Sequence, residues 1–167
     1  NLADEFPKSL FLREVLFLKG KESYEKKDYI NSEKYFSRFI NDFPQSALFK
    51  DAAKMFIESL IKQNKLKEAQ KLCETVLSKT EDEFISFIYG KILYLVKDFK
   101  KSKTIFNNLK TQNPALLVES KYYLGKISEY EGDKERASEI FLEIITFYKD
   151  FPNWVKISGE ALKKLQK

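Results

Sequence analysis

The stretch Lys27-Asp28-Tyr29-Ile30-Asn31-Ser32-Glu33-Lys34-Tyr35-Phe36 has a polar turn, then a small residue, then an aromatic residue four positions later. A similar arrangement returns at residues 64–73, 97–106 and 132–141, with an apolar or aromatic residue in last place. The small residues are separated by 37, 33 and 35 positions and are Ser32, Ala69, Ser102 and Ala137. Because a period in this range is typical of helical repeat arrays, the chain is predicted to consist of repeated helix pairs.

These residue types suit two helices that cross closely. A small side chain lets the second helix of a pair approach its neighbour, and the bulky residue one turn later fills the space beside the crossing. Proline ends a helix, because it lacks an N–H group and clashes with the preceding turn. We therefore expect Pro44, Pro114 and Pro152 to end the second helices of their pairs.

The chain resembles the tetratricopeptide repeat family, whose pattern of about 34 residues contains Gly, a small residue, Phe and a closing Pro at fixed offsets. The Gly positions lie 12 residues before the small ones and hold Gly20, Gly90 and Gly125; the Phe positions hold Phe36, Cys73, Phe106 and Phe141. The second repeat departs from the pattern, with Ile57 for Gly and Glu81 for Pro.

The resemblance implies an all-α fold, a right-handed superhelix of about four helix pairs with a C-terminal capping helix. We expect one domain over residues 1–167, with repeats at 8–44, 46–79, 82–114 and 115–152 and the capping helix at 153–167. A terminal helix of this kind covers an open apolar face, and partner binding through Trp154 is the alternative. Glu5-Phe6-Pro7 nearly copies Asp42-Phe43-Pro44 one repeat later, so we expect either an earlier helix upstream or an ordinary N-terminal lead-in.

Local signals predict where several helices start. Ser46 is expected to cap a helix over residues 47–63, Thr80 and Glu83 to form a capping box, and Asn153 to cap a helix over 154–166. The second helix of the third repeat is expected over residues 100–111.

Composition argues against catalysis. The 167 residues include no His, which removes the commonest general base and metal ligand, and the five Gly form no phosphate-binding loop. The single Cys73 excludes an internal disulfide. We expect no enzyme activity, no cofactor, no metal and no small-molecule substrate, and no apolar stretch reaches the roughly 20 residues of a transmembrane helix.

The net charge of +5 raises a second class of function, a basic helical repeat protein that associates with nucleic acid. The excess is modest, however, since 30 Lys and Arg are interspersed with 25 Asp and Glu, and only three of the basic residues are Arg. A lysine-rich solvated surface is the interpretation we favour.

The resemblance also implies which residues face a partner, because in this family the first helix of each pair lines a concave groove. Carried onto this chain, the groove positions are Phe17, Lys21, Tyr24, Lys54, Glu58, Ile61, Phe84, Phe87, Lys91, Tyr94, Tyr122, Lys126, Glu129 and Tyr130. Lys21, Lys91 and Lys126 beside aromatics predict an acidic, partly apolar protein or peptide as the partner. In the alternative, Phe87 and Tyr122 pack between first helices and the lysines are solvated.

A narrower resemblance concerns residues 35–46, Tyr-Phe-Ser-Arg-Phe-Ile-Asn-Asp-Phe-Pro-Gln-Ser. It looks like a sequence segment that is common in bacterial envelope members of the family. These members include the lipoprotein scaffold of the β-barrel assembly machine and the periplasmic coordinator of the Tol-Pal system. This implies a scaffold in the periplasm or at the outer membrane, with tethering through an N-terminal lipid anchor outside this sequence. The same segment also occurs in cytoplasmic repeat proteins, so a cytoplasmic location is the alternative.

Overall fold

The computed structural model describes residues 10–166, and within that range the chain is built of α-helices with no β-strand. The helices are α1 (Leu10–Glu25), α2 (Tyr29–Asp42), α3 (Phe49–Lys62), α4 (Leu66–Leu77), α5 (Glu83–Leu95), α6 (Phe99–Asn107), α7 (Pro114–Tyr130), α8 (Lys134–Phe147) and α9 (Pro152–Leu165). The all-α prediction is confirmed. The copy at Glu5-Phe6-Pro7 lies outside the described residues.

The turns within the four helix pairs share one geometry. In each, a residue with positive φ ends the first helix, and the next residue donates its backbone N–H to a carbonyl five positions back, as Asp98 does to Leu93 at 2.9 Å. The positive-φ residues are Lys27, Asn64, Lys97 and Gly132. This is the Schellman arrangement, which satisfies carbonyls that a helix end would otherwise leave unpaired.

The aspartates that follow three of these turns begin the second helices. The side chains of Asp28, Asp98 and Asp133 accept backbone N–H groups three residues on, at 3.0 to 3.2 Å. Lys65 holds this position in the second repeat and makes no side-chain cap. The polar turn recognised in the sequence is therefore a helix stop followed at once by a helix start.

Glycine and phenylalanine meet across three of the helix pairs. A Cβ atom added to Gly20, Gly90 or Gly125 would lie 2.6 to 2.8 Å from the ring of Phe36, Phe106 or Phe141 respectively. Only hydrogen leaves room for the ring at such a separation, so the Gly and Phe positions of the repeat are two halves of one contact.

The chain divides into two compact units, unit 1 up to Asp82 and unit 2 from Glu83. The core of unit 1 gathers Leu16, Phe36, Phe39 and Ala52, with Leu48 and Met55 of the α3 segment packed against it. The predicted small residue Ser32 is fully buried, and its hydroxyl lies 2.9 Å from that of Ser59 on α3.

The core of unit 2 is built around α8, whose Ala137, Ile140, Phe141 and Ile144 are buried with Val118 of α7 and Ala161 of α9. The small residue Ser102 is fully buried, and its hydroxyl donates to the carbonyl of Gly90 at 2.8 Å. Within residues 10–166, no helix is long and apolar enough to cross a membrane.

Two of the prolines lie at helix starts, which corrects the sequence prediction. Pro114 and Pro152 occupy the first turns of α7 and α9 rather than the ends of α6 and α8. Because the first N–H groups of a helix have no partner within it, proline is well suited to that position. Asn153 therefore lies inside the first turn of α9 and does not cap it.

Three other helix ends also differ from the prediction. α6 stops at Asn107, four residues before the expected end, and an irregular segment leads from there to Asn113, whose side chain caps α7. α5 begins at Glu83, so Thr80 lies too far upstream to be its cap. The Ser46 hydroxyl accepts the N–H of Leu48 at 3.2 Å, in a turn that precedes α3.

Candidate partner-binding surfaces

In unit 1, the predicted groove residues lie on α1 and α3. The half-buried ring of Phe17 packs on Phe36 and Phe39 with centroids 6.0 and 5.7 Å away, so this residue belongs to the edge of the core. Lys21 is exposed, with its ammonium 3.9 Å from the carboxylate of Glu25. Ile61 is half-buried near the end of α3.

Tyr24 and Glu58 join the two first helices of unit 1, since the tyrosine hydroxyl donates a hydrogen bond to the glutamate carboxylate. Burial, together with this bond, raises the pKa of Tyr24 to about 12. Lys54, one turn before Glu58, forms an ion pair with Asp82 at 3.0 Å. Both charged residues that were assigned to the groove in α3 therefore have partners within unit 1.

In unit 2, aromatic rings form a continuous row. The Phe99 ring lies 4.2 Å from Tyr130 and 5.5 Å from Tyr94 between centroids, and Tyr94 lies 4.8 Å from Tyr123. The row continues from Tyr123 to Tyr122 at 6.1 Å, and from Tyr122 to Trp154 at 5.3 Å. We call these side chains the aromatic row: Tyr130, Phe99, Tyr94, Tyr123, Tyr122 and Trp154.

The members of the row differ in exposure. Tyr130 is 70% exposed at one end, whereas Tyr122, Tyr123 and Trp154 are half-buried. Burial raises the pKa of Tyr123 to about 12 and also raises that of Tyr122. Tyr123 also stacks on the core ring of Phe106 and Tyr122 packs on that of Phe141, at 5.7 and 5.8 Å between centroids, so the exposed area of the row lies mainly at its Tyr130 end.

Phe87 and Phe84 are not members of the row. Phe87 is only 3% exposed and packs against Phe106 on α6, the second helix of its pair, so its side chain is part of the core. Phe84 is half-buried at the start of α5.

The two predicted groove lysines of unit 2, Lys91 and Lys126, have carboxylate partners on α7. Lys91 lies 2.5 Å from Glu119, and its ammonium is 5.3 Å from the centroid of the Phe87 ring. Lys126 forms an ion pair with Glu129 one turn along the same helix. The predicted ladder of lysines is therefore compensated at Lys91 and Lys126, and the surface carries paired charges of both signs.

Sequence reasoning did not assign Phe99, Tyr123 or Glu119 to this surface. Phe99 had a detectable signal, because it follows Tyr94 by five residues as Tyr29 follows Tyr24, and both pairs form edge-on ring contacts across the helix turn. Tyr123 and Glu119 had no such signal. Their roles depend on how α7 lies against α5, which residue spacing within one repeat does not specify.

Two features of the described residues bear on whether the chain could hold a metal ion and whether its one thiol is reactive. Within residues 10–166, no three His, Cys, Asp or Glu side chains gather where they could hold a metal ion. Cys73 is buried, and burial raises the pKa of its thiol to about 12, so it is not activated as a nucleophile.

Solved structures of other proteins share this fold. A tetratricopeptide repeat protein from Parabacteroides merdae is similar with a TM-score of 0.78 and 19% sequence identity, over 93% of this chain and 60% of that one. The MamA protein is similar with a TM-score of 0.73 and 12% identity, over 92% of this chain and 85% of that one. No model of a protein family matches the sequence, and no curated protein matches it. The likeness confirms the predicted fold, and this chain spans 60% of the length of the Parabacteroides protein.

Proposed function

Since this chain has the fold of tetratricopeptide repeat proteins, we propose that it is a non-catalytic scaffold that binds another protein. The binding surface is the aromatic row of unit 2. The observation that carries the proposal is the continuity of the row, in which six rings on α5, α6, α7 and α9 follow one another at 4.2 to 6.1 Å. The exposed ring of Tyr130 at one end of the row is the side chain that a partner segment would cover as an aromatic anchor.

The exposed end of the row supports this proposal. Tyr130 and Leu95, at the ends of α7 and α5, are both exposed although they are large and apolar. A partner that covers them removes apolar area from water, which contributes about 25 cal/mol for each Å² buried. We therefore place the centre of the interface at Tyr130 and Phe99, and include Leu95 because it follows Tyr94 of the row in sequence.

The ion pairs on this surface indicate which side chains of a partner it favours. An acidic group must displace Glu119 or Glu129 before it can reach Lys91 or Lys126, so it gains little net Coulomb energy. Apolar side chains meet no such competition. The partner segment we propose is apolar or aromatic at its centre. The lysines alone had predicted acidic groups in the partner, and such groups would affect the association rate more than the affinity.

The test is a binding measurement on matched exposed variants. Crosslinking from native cell extract identifies a partner, and isothermal titration of the purified partner then compares the chain with its Tyr130→Ser and Leu95→Ser variants. We expect Tyr130→Ser to raise Kd by about tenfold or more, as removal of a buried aromatic anchor does. Leu142→Ser, at an exposed leucine on α8, is the control and should leave Kd unchanged. Equal Kd values for all four proteins would exclude the aromatic row as the site.

Nucleic acid remains the alternative partner of a different class. The ion pairs weigh against it, because lysines that are paired with carboxylates on the same surface contribute less to phosphate binding; they include Lys54, Lys65, Lys91, Lys103 and Lys121. A gel shift with generic DNA and RNA decides between the classes. Binding that weakens steeply between 50 and 200 mM salt would favour nucleic acid, and no shift at low salt favours the protein partner.

We propose that the protein is located in the bacterial envelope, because residues 35–46 resemble a segment common in envelope members of the family. Fractionation of cells that produce the native protein tests this. Recovery with the periplasm or the outer membrane is expected, and recovery with the cytoplasm alone would contradict the proposal.

A further inference from the structure

The last described helix, α9, occupies the place that a first helix has in the other repeats. Gly159 follows Gly125 by 34 residues, which is one repeat period. Two residues further on, Ala161 is buried in the core around α8, where α3 and α7 bury Ser59 and Ile127 at the same distance from their Gly positions. α9 contacts both helices of the preceding pair, α7 and α8, as α3 contacts α1 and α2. α9 therefore has the register and the packing of a first helix.

Gly159 differs from the other glycines of the repeat in what lies over it. At Gly20, Gly90 and Gly125, an added Cβ would lie 2.6 to 2.8 Å from the ring of a phenylalanine 16 residues later. At Gly159, an added Cβ would meet nothing within 4 Å among residues 10–166. The surface over Gly159 is therefore open and has room for a ring.

Two apolar side chains extend this surface along α9. Val155 lies four residues before Gly159 and Leu162 three residues after it, so the three residues share one side of the helix. All three are half-buried, and we call them the open face of α9. The equivalent leucines of α1, α3 and α5 are at most 4% exposed because a further helix covers them. They are Leu16, Leu60 and Leu93.

In each of the four described pairs, the helix that covers this face is the next helix of the same chain. α2, α6 and α8 cover α1, α5 and α7 through the phenylalanine that lies on each glycine, and α4 packs on α3. Each second helix begins four residues after its first helix ends. The four pairs thus indicate that the cover of α9 follows it along the polypeptide.

A second copy of the chain does not supply this cover. A ring reaches a glycine across a close crossing when the residue four positions before it is small, as Ser32 is before Phe36. The rings of α2, α6 and α8 that meet this condition are buried against the glycines of their own pairs. The exposed aromatic residues of the described range are Phe11, Tyr130 and Phe147, and the residues four positions before them are Pro7, Lys126 and Glu143. None of these three preceding residues is small, so none of the exposed rings fits the crossing.

We propose that α9 is the first helix of a fifth repeat, and that the native polypeptide continues beyond Lys167 with a second helix that covers the open face of α9. The register assigns two residues of this helix, as in the four described repeats. A small residue lies 12 positions after Gly159, and an aromatic or large apolar residue lies 16 positions after it and packs on Gly159. The open contact at Gly159 carries this proposal. It does not depend on the function proposed for the aromatic row, and either proposal can fail alone.

The complete reading frame of the native protein provides the first test. We expect it to continue past Lys167, with a small residue and a large apolar residue at the two assigned positions, and intact mass of the purified native protein checks that the segment is retained. A native polypeptide that ends at Lys167 would overturn the proposal. A charged residue, Gly or Pro 16 positions after Gly159 would overturn it as well.

The contact itself is tested by Gly159→Ala in two proteins, the 167-residue chain and the complete native protein. In the 167-residue chain this variant should raise Tm by about 2 °C, because Ala favours the helix and meets no neighbour. In the native protein it should lower Tm by about 3 °C or more, because the added methyl group meets the covering side chain. Gly125→Ala is the matched control and should lower Tm in both proteins, since its ring is present in both.

The other outcomes of this comparison overturn the proposal. A rise in Tm for Gly159→Ala in both proteins would show that no side chain of the native polypeptide lies on Gly159. A fall in Tm in both proteins would show that the face is already covered in the 167-residue chain. Sedimentation that then finds a dimer, weakened by Gly159→Ala, would assign the face to a second copy.

Discussion

Three glycines lie against phenylalanine rings in this protein, and the lack of a side chain is what permits the contact. Gly125→Ala places a methyl group 2.6 Å from the Phe141 ring, inside van der Waals distance. We expect the free energy of unfolding to fall by about 1–3 kcal/mol, the usual cost of overpacking. Urea denaturation followed by the fluorescence of Trp154, which lies in the same unit, measures the change.

Gly159 provides the matched control for that substitution. It lies inside α9, and a Cβ there would meet nothing within 4 Å. Gly159→Ala should therefore stabilise the protein by up to about 1 kcal/mol, through helix propensity alone. A loss of stability in Gly159→Ala as large as in Gly125→Ala would show that contact with the Phe141 ring is not the cause of the loss.

In the second repeat, the Gly position holds a larger residue and the Phe position holds a smaller one. Ile57 replaces Gly and Cys73 replaces Phe, 16 residues apart as in the other repeats, and both are fully buried. We expect Cys73→Phe alone to cost about 1–3 kcal/mol from overpacking and Ile57→Gly alone to cost more, through a cavity and lower helix propensity.

The double variant Ile57→Gly, Cys73→Phe should recover part of these losses, with a coupling of about 1 kcal/mol or more in a double-mutant cycle. Chemical denaturation of the four proteins provides the cycle. Strictly additive losses would show that the two positions do not share one packed space, and the exchange of volume would then be coincidental.

Among the structural elements, three of the four turns within helix pairs hold a non-glycine residue at positive φ and so store backbone strain. Lys97 has φ of +65°, a conformation that costs an L-residue about 1–2 kcal/mol, whereas Gly132 at +82° is free of this cost. We expect Lys97→Gly to raise the free energy of unfolding by about 0.5–1 kcal/mol, and Gly132→Ala to lower it by a similar amount. Urea denaturation measures both, and loss of stability in Lys97→Gly would mean that the lysine side chain holds the turn in another way.

The prolines show where the prediction of elements from sequence was wrong. A proline stops a preceding helix and also starts a following one, because its missing N–H is harmless in the first turn. The sequence pattern around Pro114 and Pro152 is compatible with both, and the prediction assigned them to the wrong side. Whether a proline ends one helix or begins the next depends on where the chain changes direction, and packing between helices determines that position.

For the molecule as a whole, stability at alkaline pH should depend on two half-buried tyrosines. The folded state raises the pKa of Tyr24 and of Tyr123 to about 12, so it holds these protons more tightly than the unfolded chain. Their contribution to stability is complete below about pH 10 and is lost as the pH rises towards 12. We expect the free energy of unfolding to fall over this range, with phenolate absorbance at 295 nm appearing late.

Tyr24→Phe isolates the contribution of one tyrosine. This variant should lose stability less steeply between pH 10 and 12 than the original chain, because it has one raised phenol fewer. The slope with pH, and not the absolute stability, is the quantity to compare, since removal of the hydroxyl also leaves Glu58 without its donor. An unchanged slope would show that Tyr24 ionises as it does in the unfolded chain.

The lysine ladder was predicted from lysines that are far apart in sequence. Whether each of these lysines is paired with a carboxylate depends on neighbouring residues that the repeat pattern does not include. Glu119 pairs with Lys91 across two helices, and Asp82 pairs with Lys54 from the segment before α5. Whether a lysine on such a surface is available to a partner depends on residues from other elements. The predicted groove residues Phe17 and Phe87 pack on core rings for the same reason.

Sequence alone was sufficient to determine the all-α class, the repeat period, the small residues at helix crossings and the Gly and Phe positions. These features depend on spacing within one repeat, where about 100° of rotation per residue defines each face. Tertiary structure decided which carboxylates pair with Lys54 and Lys91 and how six aromatic rings come to form one row. These depend on contacts between residues that neighbouring repeats bring together, and no local spacing specifies such contacts.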